Sequence, residues 1–282
     1  MSNVIDFHSC EVNNEALFGA VYEHLALPDS TFLGTRITKK MILVNNDLSA
    51  SDKKLVNEVV QLVEWVNTLK PETLNISTYV TETVEYIEVA VLKVILKPDS
   101  SNLGKLKNTA KLFHTLIPYP VILMIELDGQ LAISLADKRI NQSDSSKLVI
   151  EHFYNSQWFT VASLKNNQKE FLNDFTLKNV SSVNYYELYQ DFISMLLNLE
   201  TSDISGEYIS LSTYTSENKL FDIHYSKNED RKAVLVKIKE LEAELMRMKS
   251  LISSCHQMKE KLIFNVKSKM IKDDIKKLKL QI

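Results

Sequence analysis

From Val234 onward the residues Val234, Ile238, Leu241, Leu245, Met248, Ile252 and Cys255 recur at alternating steps of four and three. That is the period of an α-helix with one stripe packed against another helix. The phase slips around Ser253-Ser254-Cys255-His256 and resumes with Phe264, Ile271, Ile275, Leu278 and Ile282. Such a chain either reverses into a helical hairpin or continues as a coiled coil with a stutter. The hairpin is preferred, because it lets one chain bury its own stripe. Both halves of the seam are candidate interaction residues.

Charge separates this segment from the rest. From Glu229 to the end there are fourteen Lys/Arg and eight Asp/Glu, a balance of +6, which leaves −9 on residues 1–228 out of an overall −3. A basic tail on an acidic body suits contact with phosphate, with an acidic partner or with the body itself. The sequence therefore suggests a body over 1–200, a Ser/Thr-rich connector over 201–228 and a basic amphipathic helical segment over 229–282.

The body reads as an α/β (α+β) fold, a mixed β-sheet with packed helices. Asn13 and Asn14 can cap a first helix bearing Leu17, Phe18, Val21, Tyr22 and Leu25, ending before Pro28. Leu33 to Leu43 reads as a loop and a short element. Ser49 and Ser51 can cap a helix from Asp52 to Leu69, with Leu55, Val59, Leu62, Val63 and Val66 on one side and Trp65 beside them. Val84 to Lys97 has the apolar overlap of a strand buried on both faces. A helix over 103–116 follows, then strands over 121–127 and 131–136 joined by Asp128-Gly129, a strong hairpin signal. A strand over 148–154 and helices over 163–171 and 185–199 complete the body.

Composition excludes several chemistries. Five glycines in 282 residues form no phosphate-cradling loop. His8, His24, His114, His152, His224 and His256 stand alone, so neither a metal site nor a cofactor is expected. Cys10 and Cys255 lie at opposite ends, which fits a reducing compartment. With no signal-peptide pattern and no long apolar run, a cytoplasmic protein without membrane contact is expected. A metal-dependent nuclease would set an acid on one strand and an acid plus lysine on the next, so that carboxylates hold the cation and lysine polarises phosphate. Glu88, Glu126, Asp128 and Lys138 are the candidates, although no acid-x-lysine triplet lies on an expected strand. Nucleic-acid phosphates could instead meet Arg36, Lys39 and Lys40, then Asp137, Lys138 and Arg139, and the tail lysines Lys267, Lys269, Lys272, Lys276, Lys277 and Lys279.

The strings Thr35-Arg-Ile-Thr-Lys-Lys40, Leu48-Ser-Ala-Ser-Asp-Lys-Lys54, Trp65-Val-Asn-Thr-Leu-Lys-Pro-Glu-Thr-Leu-Asn-Ile76, Pro118-Tyr-Pro-Val-Ile-Leu-Met-Ile-Glu-Leu-Asp-Gly129 and Ser134-Leu-Ala-Asp-Lys-Arg-Ile-Asn141 together resemble a bacterial family catalogued as domain of unknown function 4391. The likeness runs over nearly the whole chain. It carries over no catalytic residue. It implies a genomic setting beside helicases and DNA methyltransferases, in loci that look like restriction or phage defence. Arg36, Lys39, Lys40, Asp137, Lys138 and Arg139 fall inside these strings.

The expectation is a non-catalytic accessory subunit of a DNA-processing system, whose C-terminal helices mediate assembly. Its partner would be a helicase or methyltransferase, or a second copy, with DNA contact secondary. The alternatives are a metal-dependent nuclease with a degenerate motif and a simple DNA-binding module.

Overall fold

The computed structural model describes residues 14–44, 48–98, 104–160, 163–212, 221–255 and 257–282, without the side chains of 14–16, 145–147 and 221–228. Asn13, His8, Cys10, His256, the side chain of His224 and part of the expected connector lie outside the described residues. Two units are present, Met1–Leu196 and Leu197–Ile282.

The first unit is organised by a buried strand, Val89–Leu96 (β5), in which Lys93 is the one charged residue. A strand without polar alternation must be covered on both faces, and helices packed on either side of its sheet supply that cover. The order of the sheet is β1 (Phe32–Arg36), β2 (Val60–Leu69), β5, β6 (Val121–Leu127), β7 (Gln130–Asn141) and β8 (Asp144–Asn155), with β9 (Phe159–Thr160) also paired to β7. Only β5 and β6 run parallel, joined through helix α5 (Lys105–Leu116); the other pairs are antiparallel. The expected mixed sheet is therefore present. A separate two-stranded ribbon, β3 (Tyr79–Val80) and β4 (Glu85–Tyr86), lies between β2 and β5 in sequence.

Alternation assigns the two faces. Ala90, Leu92, Val94 and Leu96 share one face with Val121, Leu123, Ile125 and Leu127, and Ala110, Leu112 and Phe113 of α5 join their cluster. The other face receives helix α1 (Asn14–His24), whose Phe18 ring lies beneath the Lys93 ammonium. Helix α6 (Asn166–Asp174) and the first half of α7 (Tyr185–Ser205) add an aromatic run. In it Phe159, Phe171, Phe175 and Phe192 follow with ring centroids 5.9, 5.2 and 4.8 Å apart. Each fully buried ring of this kind contributes about 2–3 kcal/mol of transfer free energy.

The Asp128-Gly129 hairpin forms as its sequence predicts. Both residues have positive φ, 48° and 73°, which suits a two-residue turn matching the twist of its strands.

The helix expected over 52–69 does not form. Helix α3 covers only Ala50–Lys54, closed by a capping box in which Ser49 Oγ accepts from the Asp52 amide and Asp52 accepts from the Ser49 amide, both at 3.2 Å. A single π-helical turn, Leu55–Val59, follows, and then the chain extends as β2. Its register shifts between Val60 and Leu62 and again between Trp65 and Asn67. Each bulge adds a residue and resets the in–out alternation, so the buried Val60, Val63 and Val66 fall at three-residue steps that mimic a helix. The density of β-branched residues here was the opposing signal. Pro71 then opens a one-turn helix, α4 (Pro71–Leu74), so Lys70-Pro71 ends a strand rather than a helix. Leu33–Leu43 likewise resolves into edge strand β1 and helix α2 (Lys39–Leu43), whose start is capped by Thr38.

In the second unit, helices α8 (Phe221–Ser254) and α9 (Met258–Lys279) form a hairpin. Ile238 and Met248 of α8 and Ile271 and Ile275 of α9 are buried together, with Val234, Leu241, Leu245, Phe264, Leu278 and Ile282 half-buried around them. Ile252 is half-buried as well. The two stripes of the sequence thus close on each other. Lys279 reaches Glu242 across the hairpin at 3.5 Å, and Lys239 pairs with Glu200 at 2.6 Å. The composition shift at Glu229 falls inside α8. Among the described residues no helix is long and apolar enough to cross a membrane.

Candidate functional site

The hairpin leaves one surface unused. Met258, Leu262, Ile263, Val266 and Met270 of α9 are 54–76% exposed. Steps of four, with Ile263 beside them, place them on a single helical stripe. That stripe faces away from Phe264, Ile271, Ile275 and Leu278, about half a turn around the same helix. α9 carries eight lysines and three acids, Glu260, Asp273 and Asp274. Of the expected tail cations, Lys267, Lys269, Lys272, Lys276, Lys277 and Lys279 are all exposed, with Lys277 near Asp274 at 3.4 Å and Lys279 held by Glu242. The expected seam residues join α8 to α9, and the exposed apolar residues of α9 lie on the other side of that helix.

The N-terminal cations occupy the sheet edge. Every residue of β1 is exposed, Arg36 included, and Lys40 is exposed on α2. Gly34 has φ +59°, and a Cβ there would stand 2.7 Å from Cζ of Phe32, whose ring folds back over the glycine. Lys39 Nζ donates to the backbone oxygen of Asn57 at 3.2 Å, and Lys97 Nζ donates to the same oxygen at 2.9 Å. Two ammonium groups sharing one acceptor repel by roughly 1 kcal/mol in water and about 3 at the effective dielectric of a protein surface. Burial and then the neighbouring Lys97 lower the Lys39 pKa. Nothing in the sequence linked Lys97 to Lys39, since the π-helical turn that carries Asn57 was expected to be α-helix.

The candidates on β7 are each engaged by the fold. Asp137 accepts from Tyr154 Oη at 2.5 Å and from Gln190 Nε2 at 2.9 Å. Lys138 is buried and donates to the carbonyls of Ile117 and Tyr119 at 2.6 and 2.5 Å, and burial lowers its pKa to about 7. Arg139 Nε lies 2.7 Å from Glu151.

The four residues weighed for metal chemistry do not converge. Asp128 sits in the hairpin turn, and Lys138 is on the opposite face of the sheet from Glu126, as pairing of Glu126 with Leu131 requires. Glu88 precedes β5, and burial raises its carboxyl pKa, with Lys70 opposing. Glu126 instead meets Lys93 at 3.7 Å, both largely shielded at 12% and 16% exposure. Glu64 of β2 stands directly across from Lys93, so acid, lysine and acid span three neighbouring strands. The Phe18 ring lies against the Lys93 ammonium, its centroid 3.9 Å away. Among the described residues no group of three or more His, Cys, Asp or Glu is placed to hold a metal ion. Two positions before Lys93, where an acid-x-lysine triplet needs its acid, stands Val91.

No curated protein and no solved structure matches this chain. A family model described as Domain of unknown function (DUF4391) matches residues 25–275, which takes in the whole sheet, the shared Lys39–Lys97 acceptor and most of the α8–α9 hairpin. The chain belongs to the DUF4391 family.

Proposed function

We propose that the protein is a non-catalytic interaction subunit whose C-terminal hairpin docks a partner with an acidic, apolar-striped surface. The observation that carries this reading is the outer stripe of α9, an apolar row left exposed after the hairpin has closed its own seam and flanked by an excess of lysine. An amphipathic helix of that form is built to lie in a groove or against another helix. Charge selects the occupant, since a second copy would set lysine flank against lysine flank, whereas an acidic surface complements it. The genomic setting implied by the family resemblance supports a helicase or methyltransferase of a restriction or defence system as that partner.

The test is co-purification of the full chain with a helicase or methyltransferase of a restriction or defence system, using wild type and a Leu262→Ser/Val266→Ser/Met270→Ser variant. Circular dichroism should show the helices intact in both, and only wild type should hold the partner. A complex unaffected by the triple variant, or a wild-type chain that self-associates through this stripe, would overturn the reading.

A second reading rests on Glu64, Lys93 and Glu126. Two carboxylates on the strands either side of a lysine-bearing strand are the residue types that cation-assisted phosphodiester cleavage uses. It requires Mg²⁺- or Mn²⁺-dependent loss of full-length DNA by wild type and none by Glu126→Gln. Persistent DNA across several substrates removes it.

A further inference from the structure

The sharing of the Asn57 carbonyl by Lys39 and Lys97 is costly unless something else is meant to join them. The backbone at both lysines is held in place by hydrogen bonds. The Ile37 amide donates to Val63 O at 2.9 Å just before α2, and the Lys97 amide donates to Val59 O at 2.8 Å just after β5. These bonds tie both segments to the chain between Val59 and Val63, which directly follows the π-helical turn that carries Asn57. Since both touch one oxygen, the two nitrogens lie no more than about 6 Å apart. Among the described residues neither forms an ion pair with a carboxylate. Each ammonium has three N–H groups and spends one on Asn57, which leaves four donors and two positive charges for an outside anion.

We infer that Lys39 and Lys97 form a binding site for a phosphate group, that of a nucleic-acid backbone. A phosphodiester has two non-bridging oxygens bearing one charge, so it can accept from both ammonium groups at once and turn their repulsion into attraction. The surroundings favour a polymer over a free anion. Arg36 and Lys40 lie exposed on the adjoining edge, where further phosphates of the same strand would fall. The contact reads no bases. This site is independent of the α9 stripe, and either can fail without the other.

The experiment is fluorescence anisotropy of full-length protein with labelled duplex and single-stranded DNA, from low to physiological salt. Wild type should bind, with affinity falling as salt rises. Lys39→Gln/Lys97→Gln should bind at least tenfold more weakly at low salt and reduce the slope of log K against log salt by roughly 0.7 to 0.9, the value for one phosphate contact on single or duplex strands. Lys178→Gln, a surface lysine elsewhere, should behave as wild type, and Lys39→Arg/Lys97→Arg should retain binding. Equal binding and slope in the double glutamine variant would overturn the inference, as would absence of DNA binding by wild type. A parallel arm measures thermal stabilisation by inorganic phosphate against chloride at matched ionic strength. Stabilisation by phosphate that needs both lysines, without DNA binding, would overturn the nucleic-acid assignment in favour of a free phosphate compound.

Discussion

His114 Nε2 lies 2.9 Å from Ser134 Oγ, joining α5 to the middle of β7 in the interior of the sheet unit. Burial holds the imidazole well below its ordinary pKa of 6.5, and the charge of Lys138 acts in the same direction. The folded chain therefore keeps His114 neutral where the unfolded chain takes up a proton. Stability attributable to this residue is complete above pH 6.5 and declines as the pH falls below it. Urea midpoints measured from pH 7.5 to 4.5 should drop more steeply for wild type than for His114→Gln; parallel curves would show that His114 carries no such linkage.

Lys138 gives the opposite end of the profile. It titrates at about 7 when folded and near 10.5 when unfolded. Between these values the unfolded chain holds a proton that the folded chain has released, so stability rises with pH from about 7 towards 10.5 and is flat below 7. Lys138→Met should abolish that rise. Because the substitution also strips the Ile117 and Tyr119 carbonyls of their donor, it should cost about 2 kcal/mol at pH 9.

Replacing Lys93 by Met leaves Glu126 largely shielded without its lysine partner. Loss of one member of a shielded pair costs about 3 kcal/mol, and Lys93→Met/Glu126→Gln should recover part of it. Chemical denaturation of the two single variants and the double variant measures the coupling. A double variant as unstable as the sum of the singles would show that the two side chains act separately.

Gly34→Ala should lose about 1–2 kcal/mol, since Gly34 combines positive φ with contact from the Phe32 ring. In Phe32→Ala the ring is absent, so the same glycine substitution should cost less there. Equal costs in the two backgrounds would place the whole penalty in the backbone.

How far the sequence could be read follows from what each signal reports. Asp128-Gly129 specifies its turn by local backbone preference alone, and the tail periodicity specifies helices because a heptad is indifferent to the rest of the chain. Val60–Leu69 misled because two bulges broke the alternation by which a strand is recognised, and bulges arise from pairing with β1 and β5, which no local window contains. The same limit governs the candidate residues. Lys39 was legible as a cation in a polar stretch, but its partner Lys97 is distant in sequence, and their meeting depends on the π-helical turn at Leu55–Val59. Lys138 looked like its neighbours Asp137 and Arg139 until alternation turned it inward.

From β1 to β8 the order of strands in the sheet is the order of strands in the chain, and only the short β9 turns back to pair with β7. From β1 through β2, β5, β6 and β7 to β8, each strand pairs with the next main-sheet strand made, and β3 and β4 form a ribbon of their own without interrupting the series. No strand has to be threaded between two already paired. During synthesis, which exposes the N-terminus first, the sheet can therefore lengthen by addition at one growing edge, each closure spanning a modest loop. The edge most prone to mispairing at any moment is the one that the ribosome is about to cover.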